Sequence, residues 1–198
     1  PAEGLANLSS LSLTELIVET GIHDAIAKKL NQKGNLSRNA VAEGIINNVR
    51  KTIIRDQLTD PKFYDEISKL LEDLIKQKRD DTEAYERFLQ KAEELVRKMA
   101  ANNTGNHPYV LNGYPETIAI YNNLASIPAT IFVCPIDDDS KATLALQLDR
   151  VMREQAPAGW KGDDIREKQV LNALFPIMFR DRVATQAIFE IIKNQPGY

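Results

Sequence analysis

Residues 59–99 read TDPKFYDEISKLLEDLIKQKRDDTEAYERFLQKAEELVRKM, and the spacing of their apolar side chains decides the fold class. Phe63, Ile67, Leu70, Leu71 and Leu74 recur at three- and four-residue steps, which puts them on one stripe of an α-helix. Asp60 can cap that helix. Pro61 suits its first position, because proline lacks the N–H that would be left unbonded there. After QKRDD the stripe returns with Tyr85, Phe88, Leu89, Ala92, Leu95, Val96 and Met99. A link this short turns the chain back on itself, so an antiparallel hairpin is expected over about residues 60–100. Lys69, Glu72, Asp73, Glu86, Glu93 and Lys98 then solvate its outer faces.

The flanking sequence extends the same logic. Ser12-Leu-Thr-Glu15 has the spacing of a capping box and predicts a short helix to about Thr20, broken by Gly21. HDAIAKKLNQ predicts a second short helix ending toward Gly34. From Ser37 a longer helix is expected, with Val41, Ile45, Val49 and Ile53 as its stripe and Ala42, Ile46 and Ile54 widening it. Arg50, Lys51 and Arg55 suit the negative end of that helix. Residues 101–115, ANNTGNHPYVLNGYP, have no apolar period and read as a loop. That loop separates a helical region, 1–101, from a C-terminal helical subdomain, 102–198, and the two can also pack as one domain. PETIAIYNNLAS predicts another helix, and IPATIFVCPI a buried extended segment near 129–136, whose prolines argue against a central strand. Three further helices carry Leu144, Leu148, Val151 and Met152, then Val170, Leu171, Leu174 and Met178, then Ile188, Ile191 and Ile192. Pro176 ends or kinks the second of these. The fold class is all-α, a helical bundle.

Composition narrows the function classes. The 198 residues are 43% hydrophobic and 27% charged, as in ordinary globular chains, and the net charge of −3 argues against a wholly nucleic-acid-binding surface. The single cysteine, Cys134, has no internal disulfide partner, and two histidines, His23 and His107, are too few for a zinc-site spacing. A reducing cytoplasm fits. No stretch has the length and apolarity of a membrane span, and no basic-then-apolar leader opens the chain. A start at Pro1 without methionine fits either methionine removal or, the expectation here, a piece excised from a larger protein.

Catalytic motifs are missing from the sequence: there is no phosphate-binding Gly-x-x-x-x-Gly-Lys-Ser/Thr loop, no Gly-x-Gly-x-x-Gly, no His-Glu-x-x-His and no Gly-x-Ser-x-Gly. Cys134 lies in an apolar run, where an inert thiol is expected. Asp137, Asp138 and Asp139 carry the oxygens a hard cation wants, yet they stand at a helix start, where capping is the expected role. Asp163 and Asp164 precede the next helix in the same way. Trp160, set between Gly159 and Gly162, suits either a plug between helices or an interface anchor. No catalytic or metal-ligating residue is expected.

Four stretches together resemble the C-terminal region of the R subunit of type I restriction-modification enzymes. They are VAEGIINNVRKTIIRDQL continuing through the hairpin to Met99, YPETIAIYNNL, ALQLDRVMREQAPAGWKGDDIREKQVLNALFPIM, and IIKNQPGY. The most specific tags are the Asp60-Pro61-x-x-Tyr64 helix start and the Trp-Arg-Gly-Asn turn, written here Trp160-Lys161-Gly162-Asp163. Lysine for arginine removes a bidentate fork, and aspartate for asparagine removes an amide donor.

The resemblance implies a parent with a nuclease domain, two ATP-driven motor domains that translocate duplex DNA, and helical regions joining them to methyltransferase and specificity subunits. ATP and magnesium would be cofactors of the parent's motor and nuclease domains, with none needed here. The expected role is therefore non-catalytic assembly, docking through Trp160, Lys161, Gly162, Asp163 and Arg166. Its partners would be the methyltransferase and specificity subunits and the parent's own motor domains. The alternative is contact with duplex DNA through Lys161, Arg166, Lys168, Arg180 and Arg182.

Overall fold

The computed structural model describes residues 10–101, 107–127 and 136–198, and every regular element among them is helical. The chain divides into two compact units, Pro1–Asp56 with Tyr64–Thr104 and Gln57–Phe63 with Gly105–Tyr198. No described helix is long and apolar enough to cross a membrane.

The first unit opens with α1, Leu13–Thr20, whose capping box is complete. The Glu15 N–H donates to the Ser12 hydroxyl and the Ser12 N–H donates to the Glu15 carboxylate at 2.7 Å. Helix α2, Ile22–Ala25, runs directly into a π-helical turn, Ile26–Leu30. Helix α3 is Arg38–Asp56, α4 is Pro61–Ile75 and α5 is Thr82–Ala100. Val41, Ile45, Val49, Ile67, Phe88 and Val96 are among the buried side chains that the apolar periods single out.

Helices α4 and α5 lie side by side, with Leu70, Leu74 and Leu95 lining a shared groove and Lys91 donating to Gln77 across it. Two stripe members fall outside the core: Ile54 is 68% exposed and Leu70 37%. Both sit at the margin of an apolar stripe, where the neighbouring helix and not the period decides coverage. Arg55 forms a paired hydrogen bond to Asp56, which raises its pKa further. His23 approaches Glu86 at 3.2 Å on the surface.

The second unit holds a 3-10 turn at Tyr109–Leu111 and helices α6, Pro115–Leu124, α7, Asp138–Gln155, α8, Asp164–Leu174, and α9, Arg182–Lys193. Ile120, Leu148, Leu174, Met178, Ile188 and Ile192 are buried in its core. His107 bonds Asn112 within the turn that enters the unit. Of the extended segment expected near 129–136, residues 129–135, Cys134 included, lie outside the described residues.

Residues 57–63 belong to this unit for a polar reason. Asp60, 1% exposed, accepts from the Phe63 N–H as a helix cap and also from the side-chain amides of Asn122 and Asn123. Asn123 in turn accepts from the Lys62 N–H, and Gln195 donates to the Thr59 carbonyl. A buried carboxylate needs such donors, so the cap of α4 is held by α6 and by the chain after α9.

Candidate docking site around Trp160

The turn between α7 and α8 is built by its two glycines. Gly159 has φ +63° and Gly162 φ +82°, left-handed values that side chains resist. At Gly159 a Cβ would also stand 3.3 Å from the Arg166 guanidinium. This bend turns Trp160 inward. The indole is 3% exposed, joins the core of the second unit and meets Phe189 at 5.6 Å between ring centroids, tilted by 57°. Among the described residues the buried indole N–H has no hydrogen-bond partner, so ring contacts and not a hydrogen bond hold it. Trp160 is buried in the core against Phe189 of α9, the plug of the two fates expected for it, and not exposed as an anchor would be.

The other expected docking residues hold the same turn closed. Lys161 lies 5.6 Å from the indole centroid and donates to the Gln195 carbonyl, and its burial lowers its pKa. The Gly162 N–H donates to Glu167 at 2.7 Å, and the same carboxylate meets Lys193 at 2.7 Å. Lys193 first, and then the Gly162 N–H, hold Glu167 below the usual carboxylate range. Asp163 caps α8 by accepting from the N–H groups of Ile165 and Arg166. Arg166 reaches back to donate to the Ala158 carbonyl at 2.8 Å.

Of the five basic residues expected near DNA, Lys161 and Arg166 are therefore engaged within the chain. Lys168, Arg180 and Arg182 are exposed and have no hydrogen bond or ion pair from their side chains among the described residues.

Beside the turn is an open cavity of about 490 Å³ lined by Met152, Arg153, Trp160, Lys161, Gly197 and Tyr198. Its far wall had no local signature in the sequence. Tyr198 donates to Asp149 at 2.5 Å, and Arg153 bonds the same carboxylate and lies 5.5 Å from the Tyr198 ring centroid. Burial pushes the Tyr198 hydroxyl pKa well up. Tyr198 lies 49 residues from Asp149 and 45 from Arg153, beyond any local period, whereas Asp149 and Arg153 stand four apart on α7. Among the described residues the polar groups of this wall hold one another.

Of the aspartate triplet, Asp137 takes the expected capping role. Asp137 accepts from the Ser140 N–H at 2.7 Å, which lowers its pKa, and Asp138 pairs with Lys141 at 2.7 Å. Among the described residues no group of three or more His, Cys, Asp or Glu side chains is placed to hold a metal ion.

No family model, curated protein or solved structure matches the chain.

Proposed function

We propose that this chain is the non-catalytic C-terminal part of the R subunit of a type I restriction enzyme, acting in the cytoplasm as an assembly module. It joins an ATP-dependent, DNA-translocating nuclease subunit to the methyltransferase and specificity core. The parent would be a type I site-specific deoxyribonuclease, with ATP and magnesium bound in its motor and nuclease domains.

The observation that carries this reading is how the polar side chains are used. Those of residues 159–167 brace a turn, those around Asp60 anchor a helix start, Asp137 caps another and Asp138 pairs with Lys141. A chain built this way offers preformed helical surfaces and loses little ordering entropy when a partner docks. The order of the four resembling segments supports the choice of partner. In this reading Trp160 contributes indirectly: with Gly162 and Asp163 it sets the shape of the turn.

Mixing the intact chain with the purified methyltransferase–specificity complex and following sedimentation is the test. A single faster species at micromolar concentration is expected. Independent sedimentation of the two would end the reading.

The second reading, duplex DNA contact, draws on Lys168, Arg180 and Arg182. Three phosphate contacts predict a slope of about −3 in log affinity against log salt. No duplex binding at low salt would remove it.

A further inference from the structure

We infer that the open cavity beside the Trp160 turn binds a small organic monocarboxylate, with its acid group on the Lys161 ammonium and its apolar body along the end of α7. The site goes beyond the assembly role and stands or falls without it.

The cavity belongs wholly to the second unit. The end of α7 supplies Met152 and Arg153, the stretch after it supplies Ala156, Pro157 and Lys161, and Tyr198 closes the other side. Its volume of about 490 Å³ falls among those of pockets that hold small molecules.

Its two cations are matched differently. Arg153 meets Asp149 at 3.0 Å and Glu116 at 3.5 Å, both mostly buried carboxylates, so its charge is answered within the fold. Lys161 has no ion pair among the described residues. It donates to the Gln195 carbonyl and lies 5.6 Å from the indole centroid of Trp160, contacts that fix the ammonium in place. An ammonium carries three N–H donors, and one carbonyl leaves two of them for a further acceptor. Burial alone lowers the Lys161 pKa, with no carboxylate near enough to raise it. A cation drawn partly out of water in this way gains most from an anionic acceptor, whose hydrogen bonds are charge-assisted.

The count of charges sets the ligand class. One cation is unmatched, so a monoanion fits, whereas a phosphate dianion would bring an extra charge near Asp149 and Glu116. Met152, Ala156 and Pro157 add apolar wall. The indole N–H of Trp160 is buried, so the part of that ring that reaches the cavity is carbon. A carboxylate on an apolar body meets both kinds of wall, and an inorganic anion meets only one.

Trp160 is the only tryptophan in the chain, so its fluorescence and its single indole N–H resonance report on this cavity without a label. The intact chain is titrated with hydrocinnamate, with hydrocinnamyl alcohol, which keeps the body and removes the charge, and with inorganic phosphate. Hydrocinnamate is expected to saturate with a dissociation constant of about 1 mM or below, with the alcohol and phosphate each at least about tenfold weaker. Absence of saturation by the acid up to about 20 mM, or equal affinity for the acid and either of the other two, overturns the inference. Lys161→Gln keeps an amide donor for the Gln195 carbonyl and removes the charge, and it is expected to lose about tenfold in affinity for the acid. Unchanged binding of the acid to a folded K161Q overturns the site. If K161Q does not fold, the comparison of acid, alcohol and phosphate on the wild-type chain decides. Failure on any of these counts leaves the assembly reading as it was, because that reading is tested by sedimentation with the methyltransferase–specificity complex.

Discussion

Two aromatic turns bracket helix α8, and they are built in opposite ways. At the entry, Gly159 and Gly162 take the left-handed backbone positions, and Trp160 between them is buried against Phe189. At the exit, Phe179 and Arg180 take left-handed positions themselves, and Phe179 is 59% exposed. The first turn is relaxed in its backbone and buries its aromatic ring; the second is strained in its backbone and leaves its aromatic residue more exposed. A bulky residue between glycines is free to turn inward and pack. One forced into the glycine position of a helix stop is held in place by the closure around it.

The largest effect that sharpens this contrast is at Trp160. Removing a fully packed indole leaves a cavity, so Trp160→Ala should lower unfolding free energy by about 3–5 kcal/mol in a urea titration. A loss below about 1 kcal/mol would mean that the ring is not the plug its burial indicates. The opposite sign is expected at the exit turn. Relief of a left-handed Phe is worth about 1–2 kcal/mol, and the added freedom of glycine in the unfolded chain takes back about 0.5–1. Phe179→Gly should therefore stabilise by about 0.5–1 kcal/mol in the same titration, and a clear destabilisation would break the comparison.

The smallest effect is a pH dependence. Lys193 and the Gly162 N–H depress the pKa of Glu167 in the folded chain. Its contribution is thus complete above the unfolded carboxylate range, which lies near 4.3, and is lost as acid protonates the folded form. The melting-temperature gap between wild type and Glu167→Gln should be widest at neutral pH and close as the pH falls below about 4. A gap that stays constant would show that the Gly162–Glu167–Lys193 link does not operate in solution.

The helices were legible in the sequence because their causes are local. Ser12 and Glu15 form both bonds of the capping box that their spacing announces, and Asp60 caps α4 as a residue before Pro61 should. The core stripes followed from three- and four-residue recurrence, except at their margins, where Ile54 and Leu70 are exposed.

The site was legible only in outline. The Gly-bracketed Trp160 marked a turn with two possible fates, and the choice was made by Phe189, 29 positions later. The Lys161 partner, Gln195, is 34 residues away, and Asp60 finds Asn122 and Asn123 62 and 63 residues away. At Phe179 the local signal was missing altogether, since the residue that announces a left-handed helix stop is the glycine this chain does not have there.

By itself, the sequence determined that the described chain is helical, where most helices begin, and which faces turn inward. Hydrogen bonding within a helix and the period of its apolar side chains act over three or four residues and can be read in order. Only the tertiary structure decided which aromatic is buried, which arginines remain unengaged, and that a short stretch before α4 belongs with helices beyond residue 105. Those outcomes depend on desolvation and polar pairing between residues far apart in the chain, and distance in sequence carries no record of them.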